Sequence, residues 1–74
     1  MKQKRVQIGI NTEFITLGQF LKFAGVVGSG SEAKNFLTQE EITVNQELEN
    51  RRGRKLRTGD IVEIKDVAYE IVSE

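Results

Sequence analysis

The chain has no cysteine and no histidine. Without cysteine there is no disulfide staple and no thiolate metal site, and without histidine the commonest general base and the commonest zinc ligand are both missing. The composition therefore points away from an enzyme, a bound cofactor or a small-molecule substrate. A long apolar run is absent as well. Met1-Lys2-Gln3-Lys4-Arg5 is basic in the manner of a signal peptide, but Val6-Gln7-Ile8-Gly9-Ile10 alternates where an exporting or membrane-spanning segment needs continuous hydrophobicity. The expected location is cytoplasmic, with no membrane partner. Net charge is lacking too, with 11 basic against 11 acidic residues. At 74 residues the chain reads as a single domain over 1–74. A domain of that size buries only about 60% of its extended surface and has no room for a deep cleft.

Net neutrality hides a concentration. Arg51-Arg52-Gly53-Arg54-Lys55-Leu56-Arg57 gathers five basic side chains, while Glu40, Glu41, Glu47, Glu49, Asp66, Glu70 and Glu74 are read as lying elsewhere. A partner responds to the local potential of the face it meets, and a short basic cluster of this kind suits a polyanion. Before it, Thr43-Val44-Asn45-Gln46-Glu47 reads as a strand entering a turn, and after it Thr58-Gly59-Asp60 punctuates before Ile61-Val62-Glu63-Ile64. The run is thereby pinned between two strands rather than carried on a free tail. A two-residue hairpin turn of the primed type requires positive φ at both central positions, which Asn45 tolerates and Gln46 does not.

The rest of the chain is legible from its periodicities. Val6, Ile8 and Ile10 alternate as one face of a first strand. Thr16-Leu17-Gly18-Gln19 fits a capping box, Leu17, Phe20, Leu21 and Ala24 form the inward stripe of a helix, and Gly25 marks its end. Ser29 with Glu32 fits a second capping box, ahead of a short helix whose stripe is Ala33, Phe36 and Leu37. Ile42-Thr43-Val44, Ile61-Val62-Glu63-Ile64 and Ala68-Tyr69-Glu70-Ile71-Val72 read as three strands. The order of strand, two helices and three strands predicts an α+β fold with two short helices packed on a small, mostly antiparallel sheet.

Two short helices, a strand ending in Val44-Asn45, a basic loop and a closing Gly59-Asp60-Ile61-Val62 strand resemble the αL RNA-binding motif. This is the S-four domain, named after a primary-binding protein of the small ribosomal subunit. TLGQFLKFAGVV, GSGSEAKNFL, ITVNQE and RRGRKLRTGDIVEI carry the resemblance over about Thr16 to Ile64. ITLGQFLK and ENRRGRKL are similar to the short stand-alone YaaA-type members, and Gln46 stands where many members have glycine. The resemblance implies binding of structured RNA, ribosomal RNA or ribosomal assembly particles, through the second helix and the loop between the strands. By position it puts Ser29, Ser31, Lys34 and Asn35 on the helix side and Arg51, Arg52, Arg54, Lys55 and Arg57 on the loop side.

The residues support that reading independently. Arginine forks grip phosphate oxygens in a bidentate manner that lysine cannot match. Gly53 offers backbone freedom for a close-approaching sugar-phosphate strand, or is a plain turn glycine. Ser29, Gly30 and Ser31 sit where a helix N-terminus suits an anion, though small capping residues are the commoner use. Leu56 is expected to anchor the loop to the core. Phe14, Phe20, Phe36 and Tyr69 are read as core, and Phe23 alone falls off its helix's stripe. Asp60 has no evident partner. Two other functions stay open: a helix-turn-helix DNA binder whose recognition helix begins at Ser31-Glu32-Ala33, and a ubiquitin-like protein-interaction module with a basic docking loop.

Overall fold

The computed structural model describes residues 4–74; Met1, Lys2 and Gln3, part of the basic start, lie outside the described residues. In chain order the elements are β1 (Lys4–Ile10), β2 (Ile15–Thr16), α1 (Leu17–Phe23), α2 (Gly30–Gln39), β3 (Ile42–Val44), β4 (Glu47–Leu48), β5 (Lys55–Leu56), β6 (Ile61–Ile64) and β7 (Val67–Ser73). A five-stranded sheet runs β1-β7-β6-β3-β4, and β2 with β5 forms a separate two-stranded ribbon. Among the described residues only β1 and β7 pair in parallel; the other pairings are antiparallel. The fold is α+β, as the order of elements predicts, with β2, β4 and β5 added to the expected strands.

Register explains why one sheet face is apolar. Ile42 lies opposite Ile64, Val44 opposite Val62, Val62 opposite Tyr69 and Ile8 opposite Ile71. Directly opposed residues share a face, so these side chains form one surface. Leu17, Phe20 and Leu21 of α1 and Ala33 and Leu37 of α2 bury their stripes in the same cluster. Phe20 meets Tyr69 edge-on, with centroids 5.3 Å apart and planes at 80°, a contact worth about 0.5–1.5 kcal/mol beyond its area.

Local chemistry sets the helix ends. Thr16 Oγ1 accepts from the Gln19 amide at 3.3 Å while Gln19 Oε1 accepts from the Thr16 amide at 2.9 Å, completing the expected capping box. α1 stops in a Schellman arrangement: Val26 N donates to the Leu21 carbonyl and Gly25 N to that of Lys22. Gly25 sits at φ 75°, where a Cβ is costly. The second box is only half formed. Ser29 caps α2 by accepting from the Glu32 amide, but the Glu32 carboxylate accepts from Gly28 N rather than from Ser29 N. Glu32 reaches one residue further back than the box pattern requires.

Val44 pairs with Glu47, leaving Asn45 and Gln46 as a two-residue turn with φ 52° and 71°. Asn45 is suited to it and gains two bonds: its Oδ1 accepts from Ile61 N and its Nδ2 donates to Asp60. Gln46 is exposed and makes no comparable compensation. Gln46→Gly is therefore expected to stabilise the protein by about 0.5–1 kcal/mol, the left-handed penalty relieved exceeding the added chain entropy. Chemical denaturation measures it, and a destabilised variant would contradict the strained turn.

Candidate nucleic-acid interface

The basic run is tied down by its backbone before its side chains come into play. β5 pairs with β2 so that Leu56 lies opposite Ile15 and Lys55 opposite Thr16. The first two amides of α1 then donate outward, Leu17 N to the Arg54 carbonyl at 2.8 Å and Gly18 N to the Arg52 carbonyl at 2.9 Å. Helix-start amides have no partner within the helix, so the loop meets the helix's need while the helix fixes the loop. Leu56 is fully buried, as its place between charges predicts. At the far side, Gly59 at φ 99° closes a turn in which Asp60 Oδ2 accepts from Arg57 N at 2.8 Å. Asp60 therefore has partners, contrary to the sequence expectation: it also accepts from Asn45. Gly53 is not among the positive-φ residues, and its Cβ position faces open space. It is a turn glycine, not one required by backbone geometry.

The largest departure from the sequence expectation concerns Glu49, which charge distribution along the chain places among acids remote from the cations. Its side chain is only 7% exposed and lies among them. Arg51 grips it with both Nε, 2.9 Å from Oε2, and Nη2, 3.1 Å from Oε1. Arg54 Nη1 donates to Oε1 at 3.0 Å, and Arg51 N donates to Oε2. These bonds, that of the Arg51 side chain foremost, outweigh the opposing effect of burial and lower the Glu49 carboxyl to about 2. The same contact raises Arg51.

The cluster therefore splits into two groups. Arg51 and Arg54 are committed to Glu49, while Arg52, Lys55 and Arg57 are exposed and form no ion pair among the described residues. Lys55 Nζ stands 4.9 Å and Arg57 Cζ 5.6 Å from the centroid of Phe14. Phe14 is half-buried and outside the core cluster, in contrast to its expected core role. Between Arg51, Gly53, Arg54, Lys55, Arg57 and Asp60 lies an open cavity of about 750 Å³. Cationic walls on a fixed backbone suit phosphate oxygens.

On the helix side, Ser31, Lys34 and Asn35 are exposed along α2 and Ser29 is half-buried at its cap. Among the described residues, no hydrogen bond or ion pair joins these four to the loop. The expected site residues of the helix and of the loop are thus not bonded to one another among the described residues. Glu49 and Phe14 are the members sequence reasoning missed. Among the described residues no group of acidic or nitrogen- and sulfur-bearing side chains could hold a metal ion, and no helix is long and apolar enough to cross a membrane.

Two short helices laid on a mostly antiparallel sheet, with a basic loop bonded through its backbone to the start of α1, define a small α+β module of the αL type. The chain belongs to the S4 domain family, whose model matches residues 8–72. It is also 62% identical over 67 residues to the Bacillus subtilis (strain 168) protein named "Probable ribosome maturation protein RlbA", an alignment covering 89% of this chain and 94% of the relative.

Proposed function

We propose that this protein binds structured RNA, ribosomal RNA or a ribosome assembly intermediate, and acts in the cytoplasm as a non-catalytic maturation factor. The 51–57 loop is the principal contact and the exposed face of α2, with Ser29, Ser31, Lys34 and Asn35, the secondary one. The observation that carries this is the exposure of Arg52, Lys55 and Arg57 on a loop whose carbonyls are bonded to the start of α1. Such a surface meets phosphates without first paying to order itself. Membership of the S4 domain family and the relative's name support RNA and the ribosome as the setting.

A helix-turn-helix DNA binder fits less well, because the would-be recognition helix carries a single cation, Lys34, while the basic cluster lies on the loop, and Glu32 is engaged at that helix's start. A salt titration separates these possibilities. Neutralising three to five phosphates gives a slope of log affinity against log salt of about −2 to −4, a roughly 15- to 250-fold loss between about 50 and 200 mM. An RNA hairpin is expected to bind with that slope and more tightly than duplex DNA of equal length. Equal or tighter binding to the DNA would favour the helix-turn-helix reading.

A further inference from the structure

An apolar groove of about 750 Å³ opens between the end of β1 and the outer side of α1. Ile10, Phe14, Ile15 and Phe23 line it. Phe23 is 63% exposed, and Phe14 is half-buried outside the core cluster, so both rings leave apolar area facing the groove. Large aromatics left in water are costly unless something covers them. The groove's surroundings say what that is. Phe14 is shared between two features: it lines the groove, and it lies beneath Lys55 and Arg57 of the basic loop. Lys22 adds a further cation at the lip. An occupant of the groove therefore has an apolar, flat body and is attached to negative charge.

Polar groups suited to a flat ring's edge are also present. The Gln19 amide uses its oxygen on Thr16 N, which leaves its NH₂ as a donor, and the Glu74 carboxylate on the sheet side is an acceptor. A carboxylate disfavours a phosphate inside the groove but can accept from an exocyclic amino group. We propose that the groove holds one unpaired nucleobase of the RNA engaged by the loop, packed against Phe14 and Phe23, with its flanking phosphate toward Lys55 and Arg57. The site extends the proposed RNA binding and rests on it. It adds a preference for folded RNA with an unstacked nucleotide beside the stem, since such a base has a free π-face and free edges.

The test uses two RNA hairpins identical but for one unpaired 2-aminopurine nucleotide next to the stem, with the full chain. Affinity is read by anisotropy and stacking by 2-aminopurine emission. The unpaired nucleotide is expected to tighten binding at least about fivefold, and its emission to change on binding. Phe23→Ala, at an exposed position, and Phe14→Leu, which keeps an apolar side chain, should each reduce that gain to near unity. Circular dichroism checks that both variants are folded. If the plain hairpin binds but the extra nucleotide brings no gain, or if the gain survives Phe23→Ala, the groove serves another occupant such as a protein and the inference is overturned while loop binding stands. If neither hairpin binds, the RNA-binding reading fails and the groove assignment falls with it.

Discussion

Exchanging Arg52 and Arg57 together for glutamate is expected to lower affinity for a folded RNA hairpin at least about 100-fold at moderate salt, because two charge-assisted phosphate contacts are lost and two repulsions added. The fold should survive. Among the described residues neither side chain holds an ion pair, and the hydrogen bonds of both residues run through the backbone: the Arg52 carbonyl to Gly18 N, and Arg57 N to Asp60. Surface substitutions of this kind change stability by no more than about 0.5 kcal/mol each, so the melting temperature should move by less than about 8 °C. The matched change at Arg51 and Arg54 behaves differently. It places two carboxylates against the buried Glu49 and should unfold the loop or the whole domain. Binding that survives the Arg52/Arg57 change would show that the polyanion meets another face.

Removing Glu49 should destabilise the domain measurably. Its carboxylate is buried and accepts from two guanidiniums and a backbone amide, so Glu49→Ala leaves Arg54 half-buried without its partner and unties the turn at Arg51. Breaking a fully buried pair costs about 3–5 kcal/mol. Arg51 is 73% exposed, and the solvent it can recover reduces the expected loss to about 2 kcal/mol, or roughly 10 °C in melting temperature for a domain of this size. The pH dependence follows from the depressed carboxyl. A group bound to fewer protons when folded than when unfolded stabilises above its unfolded value, and that contribution is lost as pH falls toward its folded value of about 2. Stability of the native protein should therefore decline between about pH 4.5 and 2. In Glu49→Gln this part of the decline should be missing. Because the same substitution releases Arg51 and Arg54, the salt slope of RNA binding should steepen by about 0.7–0.9 for each arginine that then reaches a phosphate. Wild-type acid sensitivity in Glu49→Gln would place the titrating group elsewhere.

Most of the fold was legible because its signals are local. The Thr16/Gln19 box, the Gly25 stop and the strands Ile42–Val44 and Ile61–Ile64 stand where spacing and punctuation put them. Leu56 was readable as an anchor because an apolar residue among five cations has few other uses. The β2–β5 ribbon was not, since a two-residue strand shows no period and its pairing joins Ile15 to a residue far along the chain. Glu49 was missed for a related reason. It stands two and five residues from its arginines in irregular backbone, where no spacing rule says which side chains meet. Counting charges grouped it with the remote acids, whereas burial makes it the centre of the cluster. The shifted box at Glu32 and the Phe14 ring under Lys55 and Arg57 are likewise settled by tertiary geometry, not by neighbours in sequence.

The most direct measurement is ultraviolet crosslinking of the full chain in cells, with the attached RNA sequenced and the crosslinked peptides mapped. Binding through the loop predicts ribosomal RNA fragments enriched over total RNA, with the attached residues concentrated in 51–57 and secondarily at the outer face of α2. Recovery of no enriched RNA, or of crosslinks that leave 51–57 clear, would contradict it.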